Sequence, residues 1–317
     1  MKVVITTPWV QNYLDEWQKD FPQVEFVGGS TPEEIKAAAA DAEVAFGPVN
    51  EELFHAAPQL RWIQSGSAGV EWLAHAPSLR ESDVTVTNTR GAHATTIAEH
   101  TIGMLVFLAR RFDELYEAQK RHEWIRGQGG ATRVGLAGLT MGVIGLGQLG
   151  RAIAKRAHAF DMTVIAVDVN EVPKPDYVAE VRRLDGLADL MQRSDVVVVA
   201  TPITDETRGM IGPDLLRMMQ QTAFLLVISR GGIIDEPTLV DMLRTGKLAG
   251  AGLDVAAVEP LPADSELWDC PNIFITPHNS PSSMQTRNNV MSIMKDNLRR
   301  YLAGEPLTNP VDKKLGY

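Results

Sequence analysis

Three residues that together could reduce a carbonyl stand just behind three short apolar runs. They are Arg230 in Ser229-Arg230-Gly231-Gly232, Glu259 at the end of the stretch that begins Gly252-Leu253-Asp254-Val255, and His278 in Ile275-Thr276-Pro277-His278-Asn279-Ser280. Each alone has a plain structural explanation. An arginine after a strand is most often a surface cation, a glutamate before proline a loop acid, and a histidine after proline a structural ring. As a set they supply what hydride transfer to a ketone needs. A fixed guanidinium orients a carboxylate and polarises the carbonyl. A histidine gives a proton to the nascent alkoxide. A carboxylate beside the histidine holds its ring and favours the charged, proton-donating form.

A second constellation would hold the hydride donor. Gly145-Leu146-Gly147-Gln148-Leu149-Gly150 follows an apolar strand over 141–144 and precedes a helical pattern over 151–157. The first glycine allows a tight turn, the second lets the backbone approach a pyrophosphate, and the third lets helix and strand pack closely. The helix start offers unpaired N–H groups and partial positive charge to phosphates. The glycine spacing alone is a weak sign, but here strand, turn, helix and next strand come in order. That next strand, 164–168, ends in Asp168, about 20 residues beyond the turn. A carboxylate there accepts from adenosine ribose hydroxyls and repels a 2′-phosphate. NAD is the favoured reading. NADP, and a merely solvated strand-end acid, stay open, although the first basic residue after Asp168 is Lys174.

These residues need a frame. The apolar pattern predicts strands over 2–6, 44–46, 62–64 and 84–88, then over 141–144, 164–168, 196–200, 224–229, 250–254 and 273–276, with helices between them. Thr31 reads as a helix cap with Pro32 in the first turn. Strand–helix alternation predicts mostly parallel sheets covered on both faces, the last six strands forming one doubly wound unit. In such folds ligands bind beyond the carboxyl ends of the strands, where all three reactive residues fall. A helix over 97–111 is apolar nearly all round, which predicts burial within a domain or between subunits. A surface loop covers 127–133 and a last helix 282–303. The fold class is α/β, with two doubly wound parallel-sheet domains.

The totals bound the rest. The 317 residues, 44% of them hydrophobic, suffice for two globular cores. The 30 Lys and Arg against 40 Asp and Glu give a formal charge of −10. That argues against binding nucleic acid or an anionic membrane through overall charge. It does not argue against an anionic substrate, which one local arginine can hold. A lone Cys270 allows neither an internal disulfide nor a cysteine-based zinc site, and reads as a structural thiol. No metal is expected. The apolar run at the start ends at Pro8, too short for a signal peptide, and no uninterrupted run of about 18 apolar residues predicts a membrane span. A reducing, cytoplasmic home is the expectation.

At this point the chain resembles the D-isomer-specific 2-hydroxyacid dehydrogenase family over essentially its whole length. The matching stretches are Gln64-Ser65-Gly66-Ser67-Ala68-Gly69-Val70-Glu71, Asn88-Thr89-Arg90-Gly91 running to Ile97-Ala98-Glu99-His100, the glycine turn, Thr201-Pro202-Ile203-Thr204 with Thr207-Arg208-Gly209, Ser229-Arg230-Gly231-Gly232-Ile233-Ile234-Asp235-Glu236, and the segments around Asp254, Glu259, Trp268 and His278. The resemblance implies a Rossmann NAD-binding domain over 99–282 and a flavodoxin-like substrate domain made of 1–98 and 283–317. It implies His278 as general acid/base, Glu259 as its partner and Arg230 as substrate clamp. Backbone N–H groups of Ala68 and Gly69 would hold the substrate carboxylate, with Arg230 and His278 also on the substrate. The cofactor would be lined by Gly145, Gly147, Gln148, Leu149, Gly150, Asp168, Thr201, Pro202, Thr207, Ile228, Ser229, Asp254 and Ser280, with Asp254 on the nicotinamide amide. A homodimer through the nucleotide domain is implied, with helix 97–111 in the interface and Trp124 as an aromatic reaching the second subunit. With the chain ending at Tyr317, no further regulatory domain is expected.

Two departures stand out. Val227 replaces the family's usual asparagine three residues before the arginine, and Asn279-Ser280-Pro281 replaces a small pair ending in glycine. The second alters the substrate or the nicotinamide wall and puts the substrate preference in question. The leading reading is reduction of a small 2-keto acid by NADH, of the glyoxylate, hydroxypyruvate or pyruvate type. The alternatives are an NADPH-preferring reductase, a formate- or phosphite-oxidising relative, and a non-catalytic NAD-sensing binding protein.

Overall fold

The computed structural model describes residues 1–314 and Gly316; Leu315 and Tyr317, and the side chains of Pro8, Gln11, Asn12 and Ala131, lie outside the described set. The chain divides into two compact units, Met1–His93 with Met284–Tyr317, and Ala94–Ser283. The boundary expected at 98/99 thus falls at 93/94. It coincides with the start of a helix, which enters the second unit whole.

The first stretch carries β1 (Lys2–Ile5), α1 (Leu14–Asp20), β2 (Glu25–Gly28), α2 (Pro32–Ala39), β3 (Val44–Phe46), α3 (Glu51–Ala56), β4 (Trp62–Gln64), α4 (Pro77–Glu81) and β5 (Thr85–Thr87). The second unit carries α5 (Ala94–Arg110), α6 (Phe112–Lys120), β6 (Thr140–Ile144), α7 (Gln148–Ala159), β7 (Thr163–Val167), β8 (Glu180–Arg182), α8 (Leu187–Arg193), β9 (Val196–Val199), α9 (Pro213–Leu216), β10 (Phe224–Val227), α10 (Glu236–Arg244), β11 (Gly250–Leu253) and β12 (Ile273–Ile275). The last helix, α11 (Met284–Ala303), returns to the first unit.

The first unit is a parallel sheet in the order β2-β1-β3-β4-β5, the flavodoxin-like arrangement. Side-chain alternation gives it two buried faces. Val3, Ile5, Val44, Phe46 and Trp62 pack with Trp17 of α1 and with Val290, Met294 and Leu298 of α11. Val4, Ala45, Ile63 and Val86 pack with Ala39, Leu73 and Leu79 on the other side. Thr31 does cap α2, its hydroxyl accepting from Glu34 N at 3.2 Å, with Pro32 in the first turn.

The second unit is a parallel sheet in the order β12-β11-β10-β9-β6-β7-β8. It has seven strands rather than the six expected. The missed β8 is a three-residue edge strand, and the missed β2 is four residues long; both are partly exposed and lack an apolar run. The strand order reverses between β6 and β9, the switch point of a Rossmann sheet. α5 starts at Ala94, three residues before the predicted start, and ends at Arg110, because Arg111 adopts a left-handed φ of 54° and starts α6. It is not buried all round within its unit: Ala98, Ile102, Leu105 and Leu108 are buried, whereas Glu99, Gly103 and Arg110 are exposed. α7 begins at Gln148 rather than Arg151, so the last part of the glycine turn is already helix. Among the described residues no helix is long and apolar enough to cross a membrane.

Candidate active site

All seven strands of the second unit run parallel, so their carboxyl ends share one edge. Every cofactor and catalytic residue inferred for this unit lies on that edge or in the loops leaving it.

At the end of β6, Gly145 takes φ 93° and a Cβ there would come 2.9 Å from Thr201 Cγ2. A Cβ on Gly150 would fall 1.9 Å from the Gly145 carbonyl oxygen, so α7 can press on the turn only with glycine there. A Cβ on Gly147 would meet nothing within 4 Å among the described residues other than its own chain neighbours. Its smallness serves no internal packing and leaves open space beside the backbone. The first backbone bond after the turn is Arg151 N to Gly147 O at 2.9 Å, so the N–H groups before it, at Gln148, Leu149 and Gly150, belong to the unpaired first turn of α7.

Asp168, just past β7 and buried, is bound to this turn. Its Oδ2 accepts from Leu146 N at 2.7 Å and its Oδ1 from Asn170 N at 2.8 Å. The carboxylate is held against the glycine turn with lone pairs to spare on each oxygen. Beyond β9 and β10, the buried hydroxyls of Thr201 and Ser229 have no hydrogen-bond partner among the described residues. Such orphans cost about 1–3 kcal/mol each unless a ligand satisfies them. Open space at Gly147, an unpaired helix start, a fixed carboxylate and two orphan hydroxyls fit a dinucleotide. Thr207 serves the loop itself, donating to Pro202 O at 2.7 Å and accepting from Thr204 N at 2.8 Å. Pro202 is thereby held beside Thr201, while Ile228 is buried just past β10.

The loops after β10, β11 and β12 are tied to one another. Asp254 is the buried hub. Its carboxylate accepts from the Thr276 hydroxyl at 2.5 Å, from Asn279 N at 2.9 Å and from Ser280 N at 3.1 Å, and its carbonyl accepts from His278 N at 2.7 Å. His278 takes a left-handed φ of 50°, a conformation costing about 1–2 kcal/mol for a residue with a side chain. These bonds to Asp254 over-determine the turn that displays it. Glu259 Oε2 lies 2.8 Å from His278 Nδ1, and its Oε1 accepts from Ala256 N at 3.1 Å. An ionised carboxylate only accepts, so the ring's Nδ1 donates and Nε2 is left for other chemistry. Arg230 Nη1 donates to Ser229 O at 2.7 Å. A Cβ on Gly231 would fall 1.8 Å from Ala256 O, so this glycine lets the arginine loop lie against the glutamate loop. The requirement is invisible in the sequence, where Gly231 is only a motif letter.

Val227 is buried in the apolar core at the end of β10. An asparagine amide there would need a partner that a valine does not. Cys270 is buried, its thiol donates to Glu266 O, and burial pushes its pKa up, so it is a poor nucleophile. In the first unit the carbonyls of Ala68 and Gly69 are taken, by Asn88 Nδ2 at 2.8 Å and the Ser67 hydroxyl at 2.7 Å.

The model of the D-isomer specific 2-hydroxyacid dehydrogenase NAD-binding domain matches residues 102–280. A glycerate dehydrogenase of Methylorubrum extorquens is 33% identical over 87% of this chain and 88% of its own length. A glyoxylate reductase of Korarchaeum cryptofilum is 31% identical over 95% of this chain and 90% of its own. A crystal structure of a D-isomer specific 2-hydroxyacid dehydrogenase family protein from Aeromonas salmonicida superposes with a TM-score of 0.88 at 29% identity, covering 98% of this chain and 99% of that one. The chain belongs to the D-isomer specific 2-hydroxyacid dehydrogenase family, the NAD(P)-dependent oxidoreductases of 2-hydroxy acids.

Proposed function

We propose that the protein reduces a small 2-keto acid, of the glyoxylate, hydroxypyruvate or pyruvate type, to its D-2-hydroxy acid with NADH. The observation that carries this reading is the 2.8 Å contact of His278 with Glu259 on the sheet edge that also bears the glycine turn and Asp168. The glycerate dehydrogenase and glyoxylate reductase among its relatives are named for acids of this class.

NADH, when bound, supplies the hydride. His278, held through Nδ1, gives the proton from Nε2 to the carbonyl oxygen as it becomes an alkoxide, and takes it back in the reverse direction. Glu259 keeps the ring oriented and stabilises its positive charge. Arg230 binds the substrate carboxylate and polarises the carbonyl. In the first unit, the N–H groups of Ala68 and Gly69, whose carbonyls are already tied down, are donors suited to a carboxylate. Asp168 accepts from the adenosine ribose and disfavours a 2′-phosphate. Gly145 to Gly150, Thr201, Pro202, Ile228, Ser229, Asp254 and Ser280 surround the rest of the cofactor, and Thr207 supports Pro202.

The same reading includes a homodimer. Phe112, Leu115 and Tyr116 share one face of α6 at helical spacing and are exposed, as is Trp124 at 92% exposure; these are apolar side chains that a second copy would cover. The single cysteine fits a reducing compartment such as the cytoplasm.

The deciding test is a screen of NADH and NADPH oxidation against a dozen 2-keto acids. Turnover with a glyoxylate- or pyruvate-sized acid and preference for NADH are expected. No turnover with any of them would sink the enzymatic reading in favour of an NAD-sensing protein.

A further inference from the structure

The Glu259–His278 pair stands at the end of a chain of contacts that begins on α10. Asp235 already caps that helix, its carboxylate accepting from Thr238 N at 2.9 Å. Glu236, the first helical residue, is thus released from capping. Its carboxylate turns to the loop after β11, where Oε1 accepts from Ala257 N at 2.6 Å. The neighbouring Ala256 N donates to Glu259 Oε1. Two consecutive N–H groups therefore go to two different carboxylates. The close approach of Gly231 to Ala256 O limits the same segment from the arginine loop.

The place is a costly one for an acid. Burial raises the pKa of Glu236, the Ala257 N–H works against that rise, and the charge of Glu259 adds to it. A neutral residue at this helix start would avoid both the desolvation and the repulsion. The start of α10 favours a negative charge in general, but no ion pair holds Glu236 among the described residues, and the contact its carboxylate makes across the loops is the bond from Ala257 N.

We propose that Glu236 is a positioning residue: by accepting from Ala257 N–H it fixes the loop so that Glu259 Oε2 meets His278 Nδ1. The functional consequence rests on the acid/base role proposed above for His278. What Glu236 supplies is an acceptor at the right reach, more than a charge. Glutamine keeps that acceptor without the charge; aspartate keeps the charge but falls one methylene short; alanine keeps neither.

The test combines turnover with ¹⁵N NMR of the imidazoles in the full-length protein without substrate, His278 being assigned by its loss in His278→Ala. In the wild type and Glu236→Gln, the His278 ring should be held as the tautomer protonated at Nδ1, and kcat should agree within about threefold. In Glu236→Asp and Glu236→Ala the tautomer should become mixed, and kcat should fall by about 10- to 100-fold with the Kd for NADH unchanged, the penalty of a reactive group displaced by about 1 Å. Wild-type tautomer and turnover in Glu236→Asp would overturn the proposal, as would a glutamine variant that behaves like alanine. Should Glu236→Ala fail to fold, the aspartate variant decides. Full turnover in His278→Ala would instead overturn the role of His278, and the tautomer measurement would still judge Glu236 on its own.

Discussion

Two buried polar clusters, one in each unit, are built in different ways. In the first unit's cluster the side chains close on one another, although elsewhere in that unit Trp17 Nε1, Trp72 Nε1 and the Thr89 hydroxyl are buried with no partner among the described residues. Asn297, fully buried, donates to Gln64 Oε1 at 2.8 Å and to Thr308 O at 3.0 Å, and accepts from Thr308 N at 2.7 Å. Gln64 Oε1 also accepts from the Thr87 hydroxyl, which accepts from Trp62 Nε1, both at 2.8 Å. The network ties β4, β5, α11 and the tail after it into one body. In the second unit, Asp168 and Asp254 pin loops, while the hydroxyls of Thr201 and Ser229, at the ends of β9 and β10, are buried with no partner among the described residues. A closed network stabilises the fold. An open one stores unmade hydrogen bonds for a ligand, at some cost to the free protein.

The comparison can be broken at several points. His278→Ala should lower kcat by roughly 10²- to 10⁴-fold while NADH affinity and Tm stay put; steady-state kinetics with fluorescence titration would show this, and near-normal turnover would remove His278 as acid/base. The mirror experiment is Asn297→Leu in the first unit. It strands buried partners and should cost about 2–4 kcal/mol of stability, read by urea unfolding, with kcat per folded molecule nearly unchanged. A large loss of kcat without loss of stability would erase the distinction between the units.

Finer effects sharpen the picture. Gly147→Ala should weaken NADH binding by about tenfold with Tm unchanged, because the added Cβ meets nothing among the described residues beyond its chain neighbours. Gly150→Ala should lower both, since its Cβ collides with Gly145 O. Equal Tm losses in the two variants would contradict the separate tasks given to these glycines. Asp168→Ala should narrow the NADH/NADPH preference; an unchanged ratio of kcat/KM would show that it does not select the cofactor.

The smallest effect concerns acid. In the first unit, hydrogen bonds from Lys295, Lys2, the Ser78 hydroxyl and Lys36 hold Asp20, Asp41, Glu51 and Glu52 below the usual carboxylate range. In the second, Glu123 and Asp235 are lowered in the same way, but Glu236 is raised. Carboxylates lowered on folding stabilise the protein above the ordinary value of about 4, and that stability is lost as pH falls through their folded values. A raised one has the opposite sign. As pH falls below about 4, the first unit should therefore lose more amide-exchange protection relative to neutral pH than the second, by a modest margin because the pairs are exposed. A larger relative loss in the second unit would refute the assignment.

Much of the second unit was legible because its chemistry is local. A glycine turn between strand and helix, an acid closing the next strand and three reactive residues behind three apolar runs are patterns of a few residues each. The edge strands β2 and β8 were not legible, since short, half-exposed segments carry little apolar periodicity. The closed network of Gln64, Thr87 and Asn297 left no sign either. Its members are far apart in the chain, and polar residues spread so widely look like ordinary surface.

The sequence by itself determined the family and the parallel α/β class, and it singled out Arg230, Glu259 and His278 as the candidates for catalysis, because each reading follows from residue types at short, fixed spacing. Only the tertiary structure decided that Glu259 bonds Nδ1 of His278, that Asp254 anchors the turn displaying that histidine, that Gly231 lets two loops touch, and that Glu236 holds the glutamate's loop. Those facts depend on distances between segments brought together by packing, and chain order does not encode such distances.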